Sequence, residues 1–202
     1  MFWLYLPLLY IEHMIIYWGY SFVWNIFNKN IYNKKDAYLV AKYSLNIQLF
    51  VLLPLGILFY TFYNNRQNII DIPTGSLYEC LQIILLFLWE DFIFYVFHRI
   101  LHTKRMYKYH KLHHSWTQPV PWGSFYASIT ENIFLNFFPV LSGPLIVGLN
   151  IYYMFVWVGL TTLTSLTAHS RFGGSHDIHH QKGNVNYGTT KFIDKIFGTY
   201  QN

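Results

Sequence analysis

The sequence predicts an all-α, polytopic membrane bundle of about four to five hydrophobic segments, carrying a histidine-rich helical cap. Three observations lead there. The chain is 53% hydrophobic and 21% aromatic but only 11% charged, where a soluble domain has ~25% charged residues. Its apolar residues fall in runs near the ~20 residues that a spanning helix needs, divided by polar stretches. Nine of its ten histidines lie in two polar windows, five in residues 98–114 and four in residues 169–180.

Residues 1–24 are apolar and aromatic, interrupted by Glu12 and His13. They read as a first span with a costly centre, or as a tilted interfacial helix. With no basic leader and no small-residue cleavage site, the segment is expected to be retained. Residues 25–42 are polar, and residues 43–63, with Pro54 and Gly56, form the second span. Residues 64–76 are a turn-rich connection ending in Pro73-Thr74-Gly75. Residues 77–97 form the third span, polar near its end at Glu90 and Asp91. Residues 98–132 hold the first histidine window. Residues 133–168 are apolar again, broken at Pro139, Gly143-Pro144 and Gly148-Leu149-Asn150, and read as two short spans or a re-entrant hairpin. Residues 169–202 are a polar tail with the second window. Cys80, the one cysteine, reads as a buried inert thiol and excludes an intrachain disulfide and a Cys-ligated zinc site. Trp89, Trp116, Trp122 and Trp157 are candidate interface anchors, and His13 reads as a satisfied polar residue.

Basic residues set the expected topology. Four lie in 25–42 (Lys29, Lys34, Lys35, Lys42), five in 98–132 (Arg99, Lys104, Arg105, Lys108, Lys111) and four in the tail (Arg171, Lys182, Lys191, Lys195), against Arg66 alone in 64–76. If 133–168 returns as a hairpin, the thirteen share one face, which is then cytosolic, and both histidine windows lie on it. The net charge of +5 fits loops at an anionic leaflet. No basic helix or aromatic-basic groove points to nucleic acid.

His98 and His102 are spaced i, i+4; His110, His113, His114 and His176, His179, His180 are each spaced i, i+3, i+4. Helical geometry lets each set project two or three imidazoles toward one point. With His169, the nine imidazoles exceed what a single tetrahedral zinc can use, and a dinuclear centre with four or five nitrogens per metal absorbs them. Imidazole suits zinc, copper, iron and nickel alike, so ligand type does not choose the metal. Neither a Glu-x-x-His pair nor a His-Glu-x-x-His motif surrounds these windows. Glu90, Asp91, Glu131, Asp177 and Asn186 are the polar candidates to receive the other ring N–H of the ligands.

The run Trp89-Glu90-Asp91-Phe92, Tyr95, His98-Arg99, His102, followed by Tyr107-Lys108, His110-Lys111, His113-His114, resembles the fatty acid hydroxylase / sterol desaturase superfamily. The tail, with His176-Asp177, His179-His180, Asn186-Tyr187-Gly188 and Asp194-Lys195, is similar to its final signature. Methylsterol monooxygenases and their relatives look most alike. The resemblance spans about residues 78–200 and implies a division into N-terminal transmembrane segments, 1–76, and a catalytic domain, 77–202. It implies a cytosolic cap holding two irons on His98, His102, His110, His113, His114, His169, His176, His179 and His180. Dioxygen would attack a C–H bond of a sterol or fatty acyl lipid, leaving a hydroxyl or a double bond, in lipid biosynthesis. Electrons would come from NAD(P)H through a cytochrome b-type carrier, at the endoplasmic reticulum membrane if the organism is eukaryotic. No catalytic residue beyond the ligands is assigned. Two departures separate the chain from the sterol-oxidising branch. Ser128 stands where that branch has a histidine, and the segment from His169 to His176 is much shorter. The competing readings are a catalytically inactive membrane scaffold and a metal-handling membrane protein. Transporters keep ionisable ligands near the bilayer midplane, whereas these histidines lie outside the spans.

Overall fold

The computed structural model describes residues 4–28, 33–64, 74–115, 119–172 and 174–202. Ten α-helices, two π-helical turns and two short 3-10 turns make up the described residues, and no strand occurs among them. Lys29, Arg66 and Trp116 lie outside those residues.

Helix α1 (Tyr5–Asn28) buries Tyr17, Ser21 and Trp24 and packs along α8. It is not among the four helices long and apolar enough to cross a membrane: Lys34–Tyr63, Leu77–Leu101, Ile129–Val147 and Ile151–Ala168. The first of these joins α2 (Lys34–Ile47) to α3 (Leu53–Asn64) through a π-turn at Gln48–Leu52. The turn lies just ahead of Pro54, which has no N–H and whose ring crowds the carbonyl four residues back. The helix starts nine residues before the expected position 43 because 34–47 is amphipathic. Ala37, Val40, Ser44 and Ile47 recur at three- and four-residue spacing and are buried, while Lys34, Lys35, Asp36 and Lys42 are exposed.

Helix α4 (Leu77–Leu101) opens on a capping box: Ser76 N–H donates to Glu79 Oε2 at 2.8 Å and Glu79 N–H to Ser76 Oγ at 3.3 Å. It then runs unbroken through His98. The polar stretch after it folds as short pieces: α5 (Tyr107–His110) and 3-10 turns at His113–Ser115 and Pro121–Gly123. Next come α6 (Ile129–Glu131), a second π-turn at Asn132–Phe137 ahead of Pro139, and α7 (Phe138–Val147). Gly143 lets α7 press on α4; a Cβ there would stand 2.7 Å from Leu86. Gly148 in the left-handed region ends α7, and Asn150 caps α8 (Ile151–Ala168) by accepting from Tyr152 N–H at 2.9 Å. The apolar stretch 133–168 is therefore two helices joined by a tight turn. Helices α9 (Ser175–Lys182) and α10 (Lys191–Ile196) complete the chain.

Hydrogen bonds show which ends meet. Trp24 Nε1 donates to Ser170 O at 3.0 Å and Trp122 Nε1 to Ala37 O at 3.2 Å, at the histidine-bearing end. Gln82 Nε2 donates to Val147 O at 2.7 Å, and Tyr63 hydroxyl bonds Leu149 O, at the other end. Both histidine windows thus share one end of the bundle. Trp122 and Trp157 are buried, with Trp157 Nε1 donating to Val140 O at 2.8 Å, and Trp89 Nε1 donates to Ser142 Oγ at 2.8 Å. These three are packing residues rather than interface anchors. Cys80 is exposed, not buried; it lies in the second turn of α4 among the outward-facing Leu77, Tyr78, Leu81 and Ile84. Such outward leucines and aromatics, also present on α1, α3 and α8, suit a lipid surround.

Two buried carboxylates hold the tail: Asp91 pins it to α4, and Asp194 braces it internally. Asp91 accepts from Thr190 N–H at 2.9 Å, from Thr190 hydroxyl and from Thr189 hydroxyl at 3.2 Å. Asp194 accepts from Tyr187 N–H at 2.8 Å and Gly188 N–H at 2.7 Å. Asp91→Ala is expected to strand these donors, costing about 2–3 kcal/mol. Limited proteolysis in detergent should then cleave within residues 185–202; an unchanged digest would contradict the pinning role.

Candidate metal centre

The nine histidines come together as two groups. His98, His102, His110, His114 and His179 form one, and His113, His169, His176 and His180 form the other; within each, the donor atoms lie within 4.8 Å of one another. The i, i+4 pairs stay together, whereas the i+3 members cross over. His113 leaves His110 and His114 for the second group, and His179 leaves His176 and His180 for the first. Of each triple, two imidazoles aim at one point, as the spacing allows, and the third joins the other group. The reason is local: α5 ends at His110 and His113 sits in a 3-10 turn, and on α9 the i+3 side chain stands about 60° from residue i on the side away from i+4, about 100° from i+4 itself.

All the close contacts are between Nε2 atoms. In the first group His98–His110 is 3.1 Å, His110–His114 3.0 Å, His114–His179 3.1 Å and His179–His102 3.1 Å. In the second, His113–His169 and His169–His176 are 3.3 Å and His176–His180 is 3.1 Å. They cannot all be hydrogen bonds. His98 Nδ1 lies 2.7 Å from Tyr187 O, His179 Nδ1 2.7 Å from Val185 O and His169 Nδ1 2.7 Å from Ser165 O. A carbonyl only accepts, so those rings carry their proton on Nδ1 and present a bare lone pair at Nε2. His110 Nδ1 lies 2.9 Å from Glu131 Oε1 without making a hydrogen bond to it. In the run His98–His110–His114–His179 both end rings can only accept at Nε2, so donors and acceptors cannot alternate along it, and at least one contact is repulsive unless a cation lies between. Ligands about 2.0–2.1 Å from one metal are spaced about 2.9 Å at a right angle and about 3.4 Å at the tetrahedral angle. The observed spacings fall in that interval, so the residues fit two metal ions.

Glu131 touches both groups, with Oε1 also 3.8 Å from His113 Nδ1. It is placed by Ser128, whose Oγ accepts from Glu131 N–H at 3.1 Å as the cap of α6. Of the other polar candidates, Asp91 holds Thr189 and Thr190, Glu90 accepts from Thr189 hydroxyl at 2.8 Å, and Asn186 donates to Ser175 O and Gln201 O. None of the three reaches a ring Nδ1. The backbone acceptors at Ser165, Val185 and Tyr187 have no side-chain signature, so sequence alone could not find them; Asn186, at φ 55°, shapes the turn between the last two.

Burial, reinforced by neighbouring imidazoles, pushes the histidines below their ordinary range. His102 and His169 fall to about 4 and His114 and His179 to about 3. His110, His113 and His176 are also held well down. The rings are neutral at pH 7, the form that binds metal.

A largely apolar cavity opens on both groups, with about 1570 Å³ of empty space including the part open to the outside. His98, His110, His113, His169 and His176 line one end, and Leu6, Leu52, Phe59, Tyr60 and Met154 line walls running toward the other.

The family model "Fatty acid hydroxylase" matches residues 83–199. Fatty acid hydroxylase domain-containing protein 2 of Homo sapiens is 36% identical over 137 residues, covering 64% of this chain and 41% of that protein. A very-long-chain aldehyde decarbonylase of Oryza sativa subsp. indica is 35% identical over 169 residues, covering 73% and 62%. Methylsterol monooxygenase 2-2 of Arabidopsis thaliana is 36% identical over 138 residues, covering 58% and 52%. The chain spans about half the length of the curated relatives it matches. No solved structure matches it.

The depressed histidines predict a pH dependence for the metal-free protein. Their folded-state values lie below the unfolded value of about 6.5, so the unfolded chain takes up protons first as pH falls. Stability should be complete above pH ~6.5 and decline steadily toward pH ~4. Thermal unfolding in detergent between pH 7.5 and 5 measures this; a midpoint that rises or stays flat on acidification would contradict it.

Proposed function

Because the chain belongs to the fatty acid hydroxylase family, we propose that it is a membrane-bound non-haem di-iron oxygenase acting on a C–H bond of a sterol or fatty acyl lipid. The observation that carries this reading is the union of the two histidine groups with one apolar cavity. His98, His102, His110, His114 and His179 would hold one iron, and His113, His169, His176 and His180 the other. When bound, the irons supply the oxidising power toward a C–H bond that side-chain acids and bases lack.

The protein's own groups do the rest. Tyr187, Val185 and Ser165 carbonyls hold His98, His179 and His169 in one tautomer with Nε2 aimed inward, and Glu131 stands beside His110 and His113. The apolar walls contributed by Phe94, Phe125, Leu135, Val140 and Val158 receive an acyl or sterol body and exclude water from the reacting carbon. The named relatives, a methylsterol monooxygenase and an aldehyde decarbonylase, support a lipid substrate. Residues 77–202 form the catalytic unit in this reading. Exposed Lys104, Arg105, Lys108 and Lys111 ring the cap and suit an acidic electron carrier of cytochrome b type, fed by NAD(P)H. The cap then faces the cytosol, and in a eukaryote the membrane is that of the endoplasmic reticulum.

Iron-loaded protein in lipid nanodiscs, given an electron donor and isotopically labelled dioxygen, tests the reading. Labelled oxygen in a lipid product, or a new double bond with labelled water, is expected. Iron-loaded protein that neither takes up dioxygen above the metal-free control nor forms a lipid product would contradict it and favour a scaffold or a metal-handling protein. Glu131→Ala is expected to lower metal affinity about 10- to 100-fold, measured by chelator competition; unchanged affinity would remove Glu131 from the centre.

A further inference from the structure

The tenth histidine, His13 on α1, is part of a directed hydrogen-bond chain that ends in the cavity, away from the metal-holding groups. Trp18 Nε1 donates to Gln48 Oε1 at 3.0 Å. An indole N–H can only donate, so it orients the amide, leaving Gln48 Nε2 facing His13. That nitrogen donates to His13 Nε2 at 3.1 Å. His13 then carries its proton on Nδ1 and donates to Thr162 Oγ1 at 2.9 Å. Each step points the same way, and the last hydroxyl accepts from His13 while keeping its own proton to give.

Thr162 stands apart from its neighbours. Thr161, Thr164 and Thr167 on the same helix each turn their hydroxyl onto a carbonyl of α8, at 3.0, 2.9 and 2.9 Å. Such back-bonding is the ordinary state of a helical threonine. Among the described residues, the one hydrogen bond of the Thr162 side chain is that from His13, and both residues line the cavity. No lysine or arginine lines that cavity. Glu12 lies beside this point, its Oε1 3.4 Å from where a Cβ on Gly159 would be. A carboxylate or phosphate would meet no cation here and one potential anion.

We propose that Thr162 is a binding residue that donates to an uncharged oxygen of a lipid in the cavity. Seven residues separate Thr162 from His169, which puts that oxygen about 10 Å along α8 from the histidine end. The ligand class is a neutral, mostly apolar lipid bearing a carbonyl, ether or hydroxyl oxygen at that distance from the carbon presented to the histidines. The proposal rests on the cavity being the lipid site of the function proposed above, and it adds the group by which the lipid is registered. His13, Gln48 and Trp18 are positioning residues, acting through Thr162.

A matched pair of probes tests it: 9-heptadecanone, which only accepts hydrogen bonds, and heptadecane, which does neither. Equilibrium binding of each to the purified full chain in detergent, at one micelle concentration, is read by native mass spectrometry. The ketone should bind about three- to tenfold more tightly than the alkane, the worth of one neutral hydrogen bond. Thr162→Val, which keeps the shape, should abolish the preference while alkane binding persists, and Thr162→Ser should restore it. Equal binding of the two probes by the unaltered protein, or a preference that survives in Thr162→Val, would overturn the proposal. Metal content and dioxygen-dependent turnover are separate readouts. Their loss with the ketone preference intact would count against the oxygenase reading alone.

Discussion

Nine neutral imidazoles that turn their Nε2 atoms on one another are the constraint around which the structure is built. The nitrogens lie 3.0–3.3 Å apart, and with the His98, His169 and His179 protons committed to carbonyls through Nδ1, hydrogen bonds cannot satisfy all of these contacts and cations between the rings are favoured. Burial makes protonation an expensive escape, as the depressed values of His102, His114, His169 and His179 show. A cation in each group would relieve that repulsion, and the donor spacings fit one in each.

The helices make that arrangement possible by ending together. Helix α4 brings His98 and His102, the start of α6 brings Glu131, and the end of α8 brings His169. The tight turn at Gly148 returns the chain so that α8 ends on the same side. The tail then closes over the cluster through Asp91 and Asp194, placing the Tyr187 carbonyl on His98. One consequence is that α1, outside the family match at 83–199, still borders the same cavity through His13 and Tyr17. Packing of α1 along α8 couples the N-terminal helix to the site.

Much of this was legible in the sequence because it depended on spacing. The i, i+4 histidine pairs, the continuation of α4 through His98 and the break at Gly148-Leu149-Asn150 all follow from local chemistry. The partition of the histidines into two groups was not legible, because it depends on a 3-10 turn at His113 and on which neighbours surround α9. The exposure of Cys80 and the burial of Trp122 and Trp157 were misread for a related reason. In helices apolar on every side, such as α4 and α8, periodicity does not tell the lipid face from the core face, and Trp122 lies in a 3-10 turn that has no periodicity to read. Glu131 was one of five polar candidates; only the fold shows that it, and not Asp91 or Asn186, reaches the rings.

Metal stoichiometry in group-specific variants tests the central claim most directly. Protein purified without oxygen and loaded with ferrous iron should hold two ions per chain, one for each histidine group. His102→Ala should lose one ion from the first group, and His180→Ala one from the second, each leaving the other in place. Loss of all metal in both variants, or no loss in either, would contradict two separate sites built from these nine side chains.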